Sequence, residues 1–235
     1  MIYHLERQHL HNPHILEQIY GNREHHYYWS DDFSEAMYID LANAGFISVS
    51  TEHEDRLLLL AEIQQAYALL HLEELHIGRT VSRLMRKARY RLAFDTAFDE
   101  VMIGIQAGHE KCWMVGKYAE LMRRLHTHKY EGFRLMSVEL YDEEAGVLVA
   151  GEIGYMTANN VYTSLTGFHS QAQHYRSWGT LQLVLLGQHL QSSGVRFWNL
   201  GHPYMQYKRD LGARTLARSD FLRLWYDGFA VNPRR

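Results

Sequence analysis

The hydrophobic pattern of this chain changes from a helical to an alternating period near residue 134, and that change limits the folds open to it. Over Asp95–Ala107, Ala97, Phe98, Val101, Met102 and Ile105 recur as one face of an amphipathic helix. From Arg134 to Tyr141 apolar and polar residues alternate instead; Asp142-Glu143-Glu144-Ala145-Gly146 turns the chain, and Val147–Tyr155 returns as a second alternating run. Two alternating runs joined by a short loop pair as antiparallel strands. The chain therefore needs a sheet that also gives amphipathic helices a surface to pack on.

The neighbouring segments extend this pattern. Residues 30–45 read as a helix, with Ser30 or Asp31 as cap, Phe33, Met37, Leu41 and Ala44 on one face, and Gly45 at its end. FISVS from Phe46 and LLLLAEI from Leu57 read as strands. Gly78–Lys87 and Gly116–His126 read as helices, and Cys112–Val115 as a short buried strand. Asn159-Asn160 marks a turn before VYTSL. A long helix over Trp178–Ser192, a strand over Val195–Leu200, a short helix near Tyr204–Leu211 and a last strand near Phe221–Trp225 complete the chain. The class is α+β: a small N-terminal α+β domain over 1–70 and a larger domain over 71–235. Helices, then a meander, then a long helix feeding a strand is an order that resembles the GCN5-related N-acetyltransferase fold.

Composition excludes several function classes. Of 235 residues 46% are hydrophobic and 13% aromatic, enough for a core and unlike a disordered chain. The single cysteine, Cys112, rules out an internal disulfide framework. Charges and histidines occupy the first residues where a signal peptide needs an apolar run, and no stretch of eighteen apolar residues occurs, so the expectation is a cytoplasmic protein without a membrane partner. His4, His9, His11, His14, His25 and His26 cluster, but their spacing fits no familiar zinc site, so no metal is expected. The net charge of −3 hides an asymmetry: Arg79, Arg83, Arg86, Lys87, Arg89 and Arg91 are six cations in thirteen residues that contain no acid. Such a stripe can neutralise phosphates, and phosphate contacts position a nucleic acid without identifying it.

Several colinear segments between residues 30 and 225 resemble the leucyl/phenylalanyl-tRNA–protein transferase family. LEELHIGRTVSRLMRK from Leu72 resembles that family's entry to its basic region, and YRLAFDTAFDEVMIGIQA from Tyr90 is similar to its Tyr-Arg-Val…Ala-Phe-x-x-Val-Ile helix. Cys112–Tyr155 is similar to its Thr-Trp-Ile…His-Ser-Ile-Glu-Val-Trp…Leu-Val-Gly-Gly-x-Tyr-Gly run. Asp210-Leu211-Gly212-Ala213 followed by Asp220-Phe221-Leu222 resembles Ser-Leu-Gly-Ala…Asp-Tyr-Leu. The resemblance implies transfer of an amino acid, with Leu- or Phe-like cargo favoured, from aminoacyl-tRNA to the N-terminal amine of a protein or peptide beginning with Arg or Lys. Aminoacyl-tRNA is then the co-substrate, and no cofactor is needed.

This chain departs from the family where the chemistry lies. The tryptophan-rich N-terminal motifs are missing. Gly-Glu-Ser-Met-Phe-Ser becomes Thr163–Ser170 without a carboxylate, and Asp-x-Gln becomes Asn199-Leu200-Gly201. By resemblance, the aminoacyl pocket draws on Ala150, Gly151, Glu152, Ile153, Leu165, Phe168, Leu183 and Phe197, and a polar or cationic cargo follows if Glu152 faces it. The catalytic candidates are Asn199, whose amide cannot serve as a base, and His202, whose imidazole can. Two other readings stay open. Arg176-Ser177-Trp178-Gly179-Thr180 half resembles an acetyl-CoA pyrophosphate loop, which would make an acetyl-CoA-dependent N-acyltransferase. The missing acids would also suit a non-catalytic homologue that binds tRNA or N-termini.

Overall fold

A computed structural model describes residues 3–108 and 112–231. The first part contains β1 (Tyr3–His4), α1 (Arg7–Leu10), α2 (Pro13–Gly21), β2 (Tyr27–Ser30), α3 (Glu35–Asn43), β3 (Ile47–His53) and β4 (Arg56–Glu62). Its strands form a four-stranded sheet in the order β1-β2-β4-β3. Then come β5 (Ala66–Leu70), α4 (Arg79–Lys87), β6 (Tyr90–Phe94), α5 (Phe98–Gly108), α6 (Gly116–Thr127), β7 (Phe133–Asp142), β8 (Val147–Thr157) and β9 (Val161–His169). The chain continues through α7 (Trp178–Ser192), β10 (Phe197–Asn199), α8 (Gln206–Asp210), β11 (Arg214–Ala217) and α9 (Arg218–Val231). These later strands build a seven-stranded sheet in the order β11-β5-β10-β9-β8-β7-β6.

The expected α+β class and the expected order of helices, meander, long helix and strand are both present. The meander is β6-β7-β8-β9, antiparallel throughout. The long helix α7 leads into β10, which joins β9 in parallel. One face of the sheet carries α5 and α6, whose buried Val101, Met102, Ile105, Tyr118 and Leu121 merge with the core of the small sheet. The other face carries α7 and α4, packed through Leu181, Val184, Leu186 and Val81 on Val138, Ala150 and Trp198. Sheet membership changes between β4 and β5: Ala66–Leu70, placed by the sequence with the N-terminal part, pairs with β10 and β11 in the larger sheet.

Four local readings are corrected. The first helix starts at Glu35 under a Ser34 cap that accepts from the Met37 amide at 3.2 Å, because Tyr27–Ser30 is committed to β2. The helix read from Asp95 starts at Phe98, because Tyr90–Phe94 pairs with β7. Cys112–Val115 carries no ladder, although Met114 is buried. Phe221–Trp225 is helical, within α9. Helical spacing buries both Phe221 and Trp225, with Phe221 stacked on Tyr67 at 3.7 Å between ring centres; a short apolar run cannot by itself be told from a strand. The strand lies one segment earlier, as β11. Between them, Leu-Gly-Ala has a backbone reason. Gly212 sits at φ +101° against the Glu74 carbonyl, where any side chain would collide, while Leu211 and Ala213 are buried.

Candidate functional site

The site forms where two parallel strands separate. β9 and β10 pair through Val161–Phe197, Tyr162–Trp198 and Thr163–Asn199, and the pairing stops there. Beyond it β9 stays with β8, past a register shift between Ile153 and Gly154. The chain after β10 follows β5, with the Leu200 amide donating to Ala68 O and the Ala68 amide to Gly201 O. A cavity of about 430 Å³ fills the gap. Gly151 and Glu152 of β8 and Ser164–His169 of β9 make one wall; Gly179, Thr180, Gln182 and Leu183 of α7 make another; Leu200, Met205, Tyr207 and Lys208 close it.

A carboxyl and an amine share this space. Glu152 is 3% exposed and accepts from Tyr162 Oη at 2.8 Å, Ser164 Oγ at 2.9 Å and Gln182 Nε2 at 3.4 Å. Gly154 allows this, since a Cβ there would strike the Tyr162 hydroxyl. Burial pushes the Glu152 carboxyl above its ordinary range, and its three donors oppose that rise. The Thr163–Ser170 segment, which carries no acid of its own, thus receives a carboxylate from the neighbouring strand through Ser164. Lys208 is 5% exposed and donates from Nζ to Leu200 O and to His202 O at 2.8 Å. Burial pulls its amine down to about 8. The Tyr207 phenol is pushed up to about 12 by burial and by the charge of Glu152.

The expected pocket residues divide between the cavity and the core. Gly151, Glu152, Leu165, Phe168 and Leu183 line the cavity together. Ala150 belongs to the core beneath α7, and Ile153 and Phe197 to the core on the opposite face. Strand alternation explains the last two, since Ile153 follows Glu152 and Phe197 precedes Trp198, which packs under α7. Asn199 is 1% exposed and is not part of the lining. Its Oδ1 accepts from the Gly201 amide at 3.0 Å and its Nδ2 donates to Thr163 Oγ1 at 3.4 Å, so the amide fixes the turn after β10. His202 also lies outside the lining; its Nε2 meets Glu62 Oε2 at 2.9 Å and its ring stacks on Tyr204. Gln182, Tyr207 and Lys208 were not expected at the site. A lysine beside a Leu-Gly-Ala turn reads as a surface cation, and only the divergence of β9 from β10 buries it.

The basic stretch is a solvent-facing stripe. Arg79, Arg83, Arg86 and Lys87 are exposed on α4, which is anchored by buried Val81, and Arg89 and Arg91 are exposed beyond it. Arg91 has partners after all: Glu143 at 3.7 Å and the Tyr141 ring, 4.3 Å from its guanidinium. Among the described residues no ion pair involves the other five. Nor, among those residues, is any helix long and apolar enough to cross a membrane.

The family model described as leucyl/phenylalanyl-tRNA protein transferase matches residues 69–226. A leucyl/phenylalanyl-tRNA–protein transferase of Pseudomonas syringae pv. tomato is 34% identical over 135 residues, 53% of this chain and 58% of that protein. One from Pseudomonas fluorescens is 34% identical over 156 residues, 63% of this chain and 62% of that protein. This chain therefore spans less than two thirds of the length of those relatives. A solved GCN5-related N-acetyltransferase from Kribbella flavida aligns over 91% of this chain and 74% of its own, with 11% identity and a TM-score of 0.41.

Proposed function

This chain belongs to the leucyl/phenylalanyl-tRNA protein transferase family, and from that premise we propose that it moves an aminoacyl group from tRNA to the N-terminal amine of a protein or peptide. The observation that carries this reading is the cavity between the diverging strands β9 and β10, within the matched region. It combines an apolar wall of Leu165, Phe168 and Leu183, suited to a Leu- or Phe-sized side chain, with the polar groups of Glu152 and Lys208. The exposed cations of α4, which packs on α7 behind the cavity wall, hold the tRNA through its phosphates. A cytoplasmic setting, where charged tRNA is present, fits the same reading.

The chemistry asks little of the protein. An aminoacyl ester is already activated, and aligning an amine with it can supply roughly 7–11 kcal/mol of barrier reduction. Asn199 contributes by holding the Gly201 turn and so the wall that begins at Leu200. His202, whose ring stands outside the cavity lining, serves as base only to an acceptor peptide that enters from that side: Glu62 accepts from Nε2–H and leaves Nδ1 able to take the proton of the incoming ammonium. The acceptor begins with Arg or Lys.

Single-turnover transfer from labelled aminoacyl-tRNA to peptides beginning with Arg or Lys tests the proposal, with labelled acetyl-CoA in parallel. Transfer from tRNA is expected, falling about 10²-fold in His202→Ala. Acetylation without aminoacyl transfer would make the chain an acetyl-CoA enzyme, and binding without either would make it a non-catalytic homologue.

A further inference from the structure

Lys208 is a buried cation that the mechanism above does not use. An ammonium has three N–H donors, and Leu200 O and His202 O accept two of them. Leu200 O is a carbonyl turned away from β5 just beyond the point where β9 leaves, so Lys208 occupies the side of the chain that a paired strand would otherwise fill. No carboxylate lies within ion-pair distance of it among the described residues. Lys208 is one of the residues lining the cavity, and the two carbonyls hold its Nζ 5.8 Å from the centre of the Tyr207 ring, which leaves one N–H outside those two bonds. The titratable groups that share this space are Glu152 from β8, His169 from β9 and Tyr207 from α8, with His202 attached through its carbonyl. Glu152 is engaged by Tyr162, Ser164 and Gln182.

Building on the aminoacyl-transfer reading, we infer that Lys208 is a catalytic residue whose third N–H donates to the carbonyl oxygen of the aminoacyl ester and stabilises the oxyanion formed there. The acceptor nitrogen forms a bond to the ester carbon, and the carbonyl π pair moves onto the oxygen facing Lys208. When the carbonyl re-forms, the bond from carbon to the ribose oxygen breaks. The ribose hydroxyl leaves with the proton that the nitrogen has lost, and an amide remains. A donor fixed before the charge develops acts strongly in a site that excludes water. Burial also weakens the competing hydration of the ammonium and sets the pH range in which the donor exists. Lys208 is charged below about pH 8 and loses this role above it.

Single-turnover transfer by the parent and by Lys208→Met, at saturating aminoacyl-tRNA between about pH 6 and pH 9, tests this. The Met variant should be slower by about 10²–10³-fold, the size of an oxyanion donor, with tRNA affinity changed less than about threefold. The parent rate should fall above about pH 8, and the residual rate of the variant should lack that fall. Deprotonation of the acceptor amine can only raise the rate with pH, so a fall cannot come from it. A Met variant within threefold of the parent, or one keeping the same alkaline fall, overturns the inference. If the Met variant does not fold, as judged by thermal melting, the parent profile decides, and the absence of an alkaline fall overturns it. A parent that moves no aminoacyl group from any charged tRNA overturns the transfer reading itself. A parent that transfers while its Met variant keeps pace overturns the role of Lys208 alone.

Discussion

Arg218 ties the small sheet to the larger one, and removing it should cost more stability than any other single polar truncation near the site. It is 6% exposed, and no acid lies within ion-pair distance among the described residues. Its partners are backbone carbonyls: Nε donates to Gln64 O at 2.9 Å, Nη2 to Ile63 O at 2.8 Å, and Nη1 to Asn22 O, with Tyr20 O and Ile19 O at 3.4 and 3.5 Å. The last two carbonyls belong to the final turn of α2, where the helix dipole favours a cation. Arg218→Met leaves three well-bonded carbonyls without a donor, those of buried Ile63 and Gln64 and of half-buried Asn22, each worth about 1–3 kcal/mol, and recovers the desolvation cost of the guanidinium, several kcal/mol. The expected net loss is about 3 kcal/mol. In urea, with a slope of about 3 kcal/mol/M for a chain of this size, the midpoint should fall by about 1 M. Because Ile63 and Gln64 follow Glu62 directly, the same change should loosen the Glu62–His202 pair and lower transfer activity in the folded fraction. A midpoint within about 0.3 M of the parent would show that water reaches these carbonyls and that Arg218 does not hold the sheets together.

Charge reversal at Arg86 and Arg89, both exposed and outside any ion pair among the described residues, should weaken tRNA binding. It should also reduce the slope of log affinity against log salt by about 1.5, since each phosphate contact contributes roughly 0.7–0.9; an unchanged slope in filter-binding titrations would remove the stripe from the tRNA path. Glu152→Gln should change how stability varies with pH. Burial raises the Glu152 carboxyl, so the folded parent binds this proton more tightly than the unfolded chain, and this site's contribution is most favourable at low pH and declines as pH rises. Glutamine has no such dependence, so its urea midpoint relative to the parent should climb as pH rises above about 4, the ordinary carboxyl range; a constant difference would place Glu152 in a solvated setting.

How far the site could be read from the residues depended on the range of the interactions involved. The helical faces of Asp95–Ala107 and Trp178–Ser192, the alternation on either side of Asp142–Gly146 and the six-cation stripe are properties of neighbours along the chain. The layer architecture followed from them, because an apolar stripe must be covered whatever covers it. The colinear segments, by their resemblance to one family, pointed to the second meander strand, the loop after it and the long helix, and five of the residues so chosen line the cavity. Contacts between residues distant in sequence decided the rest. Alternation shows that Glu152 and Ile153 face opposite ways, but only the packing of α7 determines which of them meets the cavity. The run at Phe221–Trp225 is too short to reveal its period until Tyr67 lies against it. Asn199 and His202 were chosen for their chemistry; their hydrogen bonds to Gly201 and Glu62 turn one toward the backbone and the other toward the small sheet. Lys208 is the clearest case. Its burial arises because two strands that pair for three residues then part, leaving carbonyls that need a donor, and that parting depends on β5 drawing one strand away while β8 holds the other.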